Sequence, residues 1–295
     1  MTSPAAADLV TVLAEGPPNT LAGTWPDRSY TRVLRPELHS FHAPGTARGQ
    51  ALVCAGGGYL QLVHDKEGVE VAQWLNTLGL DAHVLVHRLP GQPRLPQPEA
   101  AAAAAGQAAL PHEVWPFDIA LQDGLRAAAH LATQPRSAAL PLLLAGLSSG
   151  GHLAGVLACQ PLPLRTFGLL VAYAPLNANH RLYKAPAGKP DYPPPEKQAF
   201  YDAWPIGITA EPRGLPHLPV FLSCALHDAM VPVAHALNLV QALQQAGGDV
   251  EAHIFPRAPH GYALRERAGT HAHWPELAAR WVQERLPRAP GSSAD

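Results

Sequence analysis

Short apolar runs alternate with stretches of helical period along most of this chain. The runs are "ALVCA" (51–55), "AHVLVH" (82–87), "LPLLLAG" (140–146), "FGLLVAY" (167–173), "PVFLSCA" (219–225) and "VEAHIF" (250–255). Between and after them come "EGVEVAQWLNTLG", "DIALQDGLRAAAHLA", "SGGHLAGVLACQ", "PVAHALNLVQALQQAGG" and "HWPELAARWVQERL", each with apolar residues spaced for one helix face. A strand apolar on both sides must be covered on both sides. Parallel neighbours in turn need crossovers of about this length. The pattern therefore predicts an α/β fold with a mostly parallel central sheet and helices on both faces. Gly79 and the pair Gly247-Gly248 are the expected helix stops.

A chain of 295 residues with 47% apolar and 15% charged residues can bury a large core, and a single domain over residues 1–286 is expected. The formal net charge of −2 offers no electrostatic case for nucleic acid or an anionic membrane, so a small-molecule substrate is the expected partner. "MTSPAAADLVTVLAEG" lacks a basic segment ahead of its apolar stretch, which argues against a signal peptide, and no run reaches the ~18 apolar residues of a membrane span. Cys54, Cys159 and Cys224 lie far apart in apolar segments and read as buried thiols of a cytoplasmic protein. Two irregular insertions interrupt the alternation, near 90–112 and 174–218. An alanine run in the first could form a short helix, and the tail 287–295 is expected to be disordered.

Gly146-Leu147-Ser148-Ser149-Gly150 follows an apolar strand and opens a helix. This is the setting of a G-x-S-x-G nucleophile elbow, in which a sharp turn lifts the serine Oγ above the sheet. The plainer alternative is a turn in which Ser148 or Ser149 merely caps the helix. A serine nucleophile needs a base held by a carboxylate, and in elbow sites the order is Ser, acid, His. Asp228 in "ALHDAMVPV" and His260 in "FPRAPHGYAL" keep that order, each just past the end of a strand. Asp202 and Asp249 are competing acids, and His253, His271 and His273 are competing histidines.

Gly56, Gly57 and Gly58 follow the first of these runs, where an elbow hydrolase places a loop of oxyanion donors. Gly57 and Gly58 are the candidate donors there, with Tyr59 open as a third, and the N–H of Ser149 would complete the hole. A dinucleotide loop would need glycine where Gln61 stands, and no P-loop Gly-Lys-Ser/Thr is present. A plain tight turn is the remaining alternative.

"CAGGGYLQLVHDKEGVEVAQWLNTLGLDAHVLVHRLP", "GLSSGGHLAG", "HDAMVPV" and "FPRAPHGYAL" together resemble the acetyl xylan esterase-like group of α/β-hydrolases. The resemblance covers most of residues 30–286 in the same order. Ala55 stands where the group has proline, and His87 where it has tyrosine. The resemblance implies an α/β-hydrolase fold and a serine esterase acting on short acyl esters, acetylated carbohydrates among them, without a cofactor. It implies Ser148, Asp228 and His260 as nucleophile, acid and base, and the glycine loop with Ser149 as oxyanion hole. Two other functions remain open, a peptidase or amidase with the same triad and a silent binding protein on the same fold. A metal site would rest on His271 and His273, which lack a third ligand or an H-E-x-x-H, so no metal is expected.

Overall fold

The computed structural model describes residues 6–92, 94, 114–177, 194–207 and 214–286. Ten strands lie among them, β1 (Leu9–Val12), β2 (Thr20–Ala22), β3 (Ser29–Arg32), β4 (Glu37–Phe41), β5 (Gly49–Cys54), β6 (Leu80–Val86), β7 (Leu142–Leu147), β8 (Thr166–Ala172), β9 (Val220–Ala225) and β10 (Val250–Phe255). The helices are α1 (Glu70–Thr77), α2 (Ile119–Thr133), α3 (Ser149–Ala158), α4 (Pro195–Ala203), α5 (Ala234–Gln245) and α6 (Trp274–Arg285). A π-helical turn, Asp65–Val69, leads into α1.

Eight of these strands form one sheet in the order β1-β4-β6-β5-β7-β8-β9-β10. The pairs from β6 to β10 are parallel, while β1–β4 and β4–β6 are antiparallel. Alternate residues of each central strand serve different cores, as two-sided burial requires. Leu52, Leu144, Val171 and Leu222 pack with Leu131 of α2, Leu157 of α3, Phe200 of α4 and Leu239 of α5. Val53, Ala145, Leu170 and Phe221 pack on the other face with Leu75 of α1 and Trp281 of α6. Each valine, leucine or phenylalanine side chain so taken from water contributes roughly 1.5–3 kcal/mol. The mostly parallel, doubly covered sheet is thus the one the apolar alternation predicts.

Chain order reverses beside β5, because the chain leaves it for β6 on one side and returns to β7 on the other. At such a switch point the loops from adjacent strand ends diverge and leave a crevice. Cys54, the last residue of β5, pairs with Gly146 near the end of β7, so the glycine loop and Ser148 leave the sheet side by side.

Three features depart from the expectations. Strands β1 to β4 are additional, and β4 is buried although it carries Glu37, His39 and Ser40. These polar groups are satisfied within the fold: His39 meets Glu37 at 3.0 Å and Ser40 meets His83 at 2.8 Å. Helix α4 lies inside the segment expected to be irregular, and it begins with Pro195, whose missing N–H costs nothing in a first turn. Cys159 is half-buried at the end of α3, unlike Cys54 and Cys224, which are buried. The alanine run of 101–105, most of 174–193 and the tail 287–295 lie outside the described residues. Among the described residues no helix is long and apolar enough to cross a membrane.

Where β6 ends, Arg88 grips Asp123 of α2 through its backbone N–H (2.9 Å), Nε (2.9 Å) and Nη2 (2.5 Å), with its guanidinium over Trp115. The Asp123 side chain is fully buried. Removing one member of such a pair leaves a buried charge uncompensated. Asp123→Ala is therefore expected to lose about 3–5 kcal/mol of stability in urea unfolding monitored by far-UV circular dichroism.

Candidate active site

Ser148 has φ 51° and ψ −129°, a backbone conformation that costs a non-glycine residue of order 1–3 kcal/mol. Its N–H donates to Ala172 O of β8 (2.9 Å), and its carbonyl accepts from Gly151 N–H (2.9 Å) as α3 begins. The flanking glycines permit this turn by having no side chain. A Cβ on Gly146 would lie 2.2 Å from Gly150 O, and one on Gly150 would lie 2.0 Å from Cys54 O. The motif spacing thus records how closely α3 approaches β5.

Ser148 Oγ lies 3.0 Å from His260 Nε2, and His260 Nδ1 lies 2.8 Å from Asp228 Oδ2. A carboxylate accepts only, so Nδ1 carries the proton and Nε2 is left to accept from the serine hydroxyl. The second oxygen of Asp228, Oδ1, accepts the N–H groups of Met230 (2.6 Å) and Val231 (2.9 Å). Burial opposes ionisation of Asp228, but the bond and charge of His260 and these two N–H groups outweigh it and hold the carboxyl below its ordinary range. Asp228 is thus an ionised, oriented partner for the imidazole at neutral pH.

The competing residues lie in other contacts. Asp202 accepts from Gln198 (2.6 Å) within α4, and Asp249 pairs with Arg285 (2.8 Å). His253 meets Glu251 (2.8 Å), His271 meets Arg257 O (3.1 Å) and His273 faces Glu276 (3.5 Å). None of the five bonds to Ser148.

The glycine loop turns sharply after β5. Gly57 (φ 132°), Gly58 (φ 66°) and Tyr59 (φ 59°) all have positive φ, and Gly57 O accepts from the N–H groups of Leu60 and Gln61. Gly56 touches Ser148, since a Cβ there would lie 2.7 Å from Ser148 Cβ. Gly56 N–H donates to Glu67 Oε2 (2.8 Å) and Gly58 N–H to Ser149 Oγ (2.9 Å). The N–H groups of Gly57, Tyr59 and Ser149 have no acceptor among the described residues.

Two contacts at the site had no counterpart in the sequence reading. Tyr59 OH donates to His152 Nδ1 (3.0 Å), and His152 Nε2–H donates to Trp204 O (2.9 Å), which ties the loop, α3 and the chain after α4 together. Burial pushes His152 down to about 4, so this imidazole is neutral and can play both parts. Glu67, buried in the π-helical turn, receives the Tyr173 hydroxyl at 3.2 Å, while the Tyr173 ring sits edge-on to His260 at 5.1 Å. The available signal was an acid inside a helical pattern close behind a glycine loop.

Gly150→Ala would push a methyl group into the carbonyl of Cys54. It is expected to cost about 1–3 kcal/mol or more in urea unfolding, and to abolish labelling of Ser148 by a fluorophosphonate in whatever protein still folds.

The chain is also similar to known proteins. The prolyl oligopeptidase family model matches residues 118–287, a span that holds Ser148, Asp228 and His260. An acetylxylan esterase of Xylanibacter ruminicola is 24% identical over 234 residues, covering 75% of this chain and 42% of that protein. The chain thus spans less than half the length of that curated relative. An acetyl ester-xyloside bifunctional hydrolase of Caldicellulosiruptor lactoaceticus superposes with a TM-score of 0.59 at 21% identity, over 85% of this chain and 88% of that one. For a carboxylesterase of Lactobacillus plantarum the TM-score is 0.62 at 19% identity, over 92% and 99%. The sheet order and these superpositions give the chain the α/β-hydrolase fold that the four sequence blocks imply. By its matched residues, it belongs to the prolyl oligopeptidase family.

Proposed function

We propose that the protein is a serine carboxylesterase that hydrolyses short acyl esters, acetylated carbohydrates among them. The observation that carries this reading is the continuous hydrogen-bonded chain from Ser148 Oγ through His260 to Asp228. The names of the acetylxylan esterase, the acetyl ester hydrolase and the carboxylesterase it is similar to support the choice of an ester. The buried Cys54 and Cys224, with thiols pushed up to about 12 by burial, suit the reducing cytoplasm that this reading includes.

In the first half-reaction Ser148 Oγ attacks the ester carbonyl and passes its proton to His260 Nε2. The carbonyl oxygen becomes an oxyanion, which the N–H groups of Gly57 and Ser149 stabilise. Gly58 N–H, which already donates to Ser149 Oγ, holds the loop against α3. Asp228 keeps the imidazole tautomer and stabilises the imidazolium. As the tetrahedral species collapses, the carbon–oxygen bond to the leaving alcohol breaks and the alcohol takes the proton from His260. Water then gives a proton to His260 and attacks the acyl carbon. The acid departs, and Ser148 recovers its proton.

The family match favours a second reading, in which the same groups cleave an amide or peptide bond. The two differ in the leaving group, so parallel assays with 4-nitrophenyl acetate and an aminoacyl 4-nitroanilide decide between them. Ester turnover without anilide turnover is expected, and the reverse overturns the esterase reading.

Ser148→Ala is expected to lower ester turnover by at least ~10⁴-fold with an unchanged circular dichroism spectrum. Asp228→Asn should cost about 10⁴-fold in kcat, because it presents the wrong partner to Nδ1. In an acyl series from acetate to octanoate, kcat/KM should be greatest for the shortest chains.

A further inference from the structure

We infer that Glu67 is a second acidic group of the catalytic centre. It is a positioning residue that anchors the glycine loop through Gly56 and opposes the positive charge His260 acquires during turnover. The inference rests on the reading of Ser148, His260 and Asp228 given above.

Glu67 sits between the two halves of the site. Its Oε2 accepts Gly56 N–H at 2.8 Å, and Gly56 is pressed between Glu67 and Ser148: a Cβ there would lie 2.5 Å from Glu67 Oε2 and 2.7 Å from Ser148 Cβ. Its Oε1 accepts the Tyr173 hydroxyl and borders Gly261, the residue after His260. The same carboxylate thus touches the residue before the oxyanion donor Gly57 and faces the loop that carries the base.

The molecule treats its other buried acids differently. Asp65 is paired with Arg28, Asp81 with Arg136 and Asp123 with Arg88. Among the described residues no arginine or lysine lies within ion-pair distance of Glu67, which is only 4% exposed. An acceptor for Gly56 N–H alone could be a neutral glutamine, with no charge to bury. A buried acid kept without a guanidinium beside a catalytic histidine is one whose charge has a use.

The groups facing Glu67 are Gly56 N–H, Tyr173 with Tyr262 edge-on behind it, His260, and Lys66 of its own turn. Burial raises the carboxyl above its ordinary range, and the Gly56 N–H, the charge of His260, the Tyr173 bond and Lys66 restrain that rise. Imidazolium formation and Glu67 ionisation therefore favour each other. Because His260 takes up the proton of Ser148 as the reaction proceeds, the interaction favours the transition state over the bound substrate.

Glu67→Gln keeps the size and the acceptor for Gly56 and removes the charge. With 4-nitrophenyl acetate, kcat should fall about tenfold while KM stays within about twofold. The acid limb of kcat/KM should move to lower pH by about half a unit to one unit, because the imidazole loses a neighbouring anion. Tm should not fall, since a buried charge has been relieved. Glu67→Asp keeps the charge but shortens the reach. Its acid limb should stay at the wild-type position while kcat drops, and this holds as the test if the glutamine variant does not fold.

The pH dependence of fluorophosphonate labelling of Ser148 reads the same limb without ester turnover. Labelling with no ester hydrolysis would sink the substrate reading alone. An unmoved acid limb in Glu67→Gln overturns the role of Glu67, whether kcat is retained or falls with Tm. Wild-type protein that is never labelled overturns both readings.

Discussion

Everything at the site depends on how closely helix α3 approaches strand β5. Gly150 sits where any side chain would strike the Cys54 carbonyl, and Gly146 where any side chain would strike Gly150. That contact lets the helix begin one residue after Ser148 and forces Ser148 into its left-handed backbone. The strain is held by the Ala172 carbonyl on one side and the first helical turn on the other. With the helix moved outward by a side chain, Oγ would sink and lose its hydrogen bond to His260.

A second constraint is the fixing of the glycine loop before substrate arrives. Three ties converge on it, from Glu67 to Gly56, from Ser149 to Gly58 and from His152 to Tyr59. Each comes from a different part of the fold: the turn before α1, the start of α3 and its second turn. In the proposed reading, donors held in this way need no reorganisation when charge develops on a carbonyl oxygen. His152 can serve only as a neutral ring, and its complete burial keeps it so.

The legible parts of the fold were those in which one residue type repeats at one spacing. The parallel strands β5 to β10 stand within two residues or so of their apolar runs, and five of the six helices among the described residues follow their predicted stretches. Strand β4 was hidden because its buried side chains include Glu37, His39 and Ser40, which are satisfied by partners far from them in the chain or by each other. Strand β1 was hidden because Leu9, Val10 and Val12 remain exposed, so its pairing with β4 leaves no mark of burial. Prolines concealed α4, since the one at its first position is compatible with a helix and the neighbouring ones are not.

Local chemistry therefore dictates the elbow at Ser148, the order serine, acid, histidine, and the glycines behind the first parallel strand. Those features are legible because each concerns a residue and its immediate neighbours in the chain. Only the folded chain decides that Asp228 and His260 reach Ser148 while Asp202, Asp249, His253, His271 and His273 do not. It also decides that Gly58 N–H is taken up by Ser149 Oγ while Gly57 keeps a free N–H, and that Glu67 turns inward to Gly56 and Tyr173. These are outcomes of contacts between residues that are distant in sequence. Their geometry comes from the order of strands in the sheet and the packing of α1 and α3 against it, which no local pattern encodes.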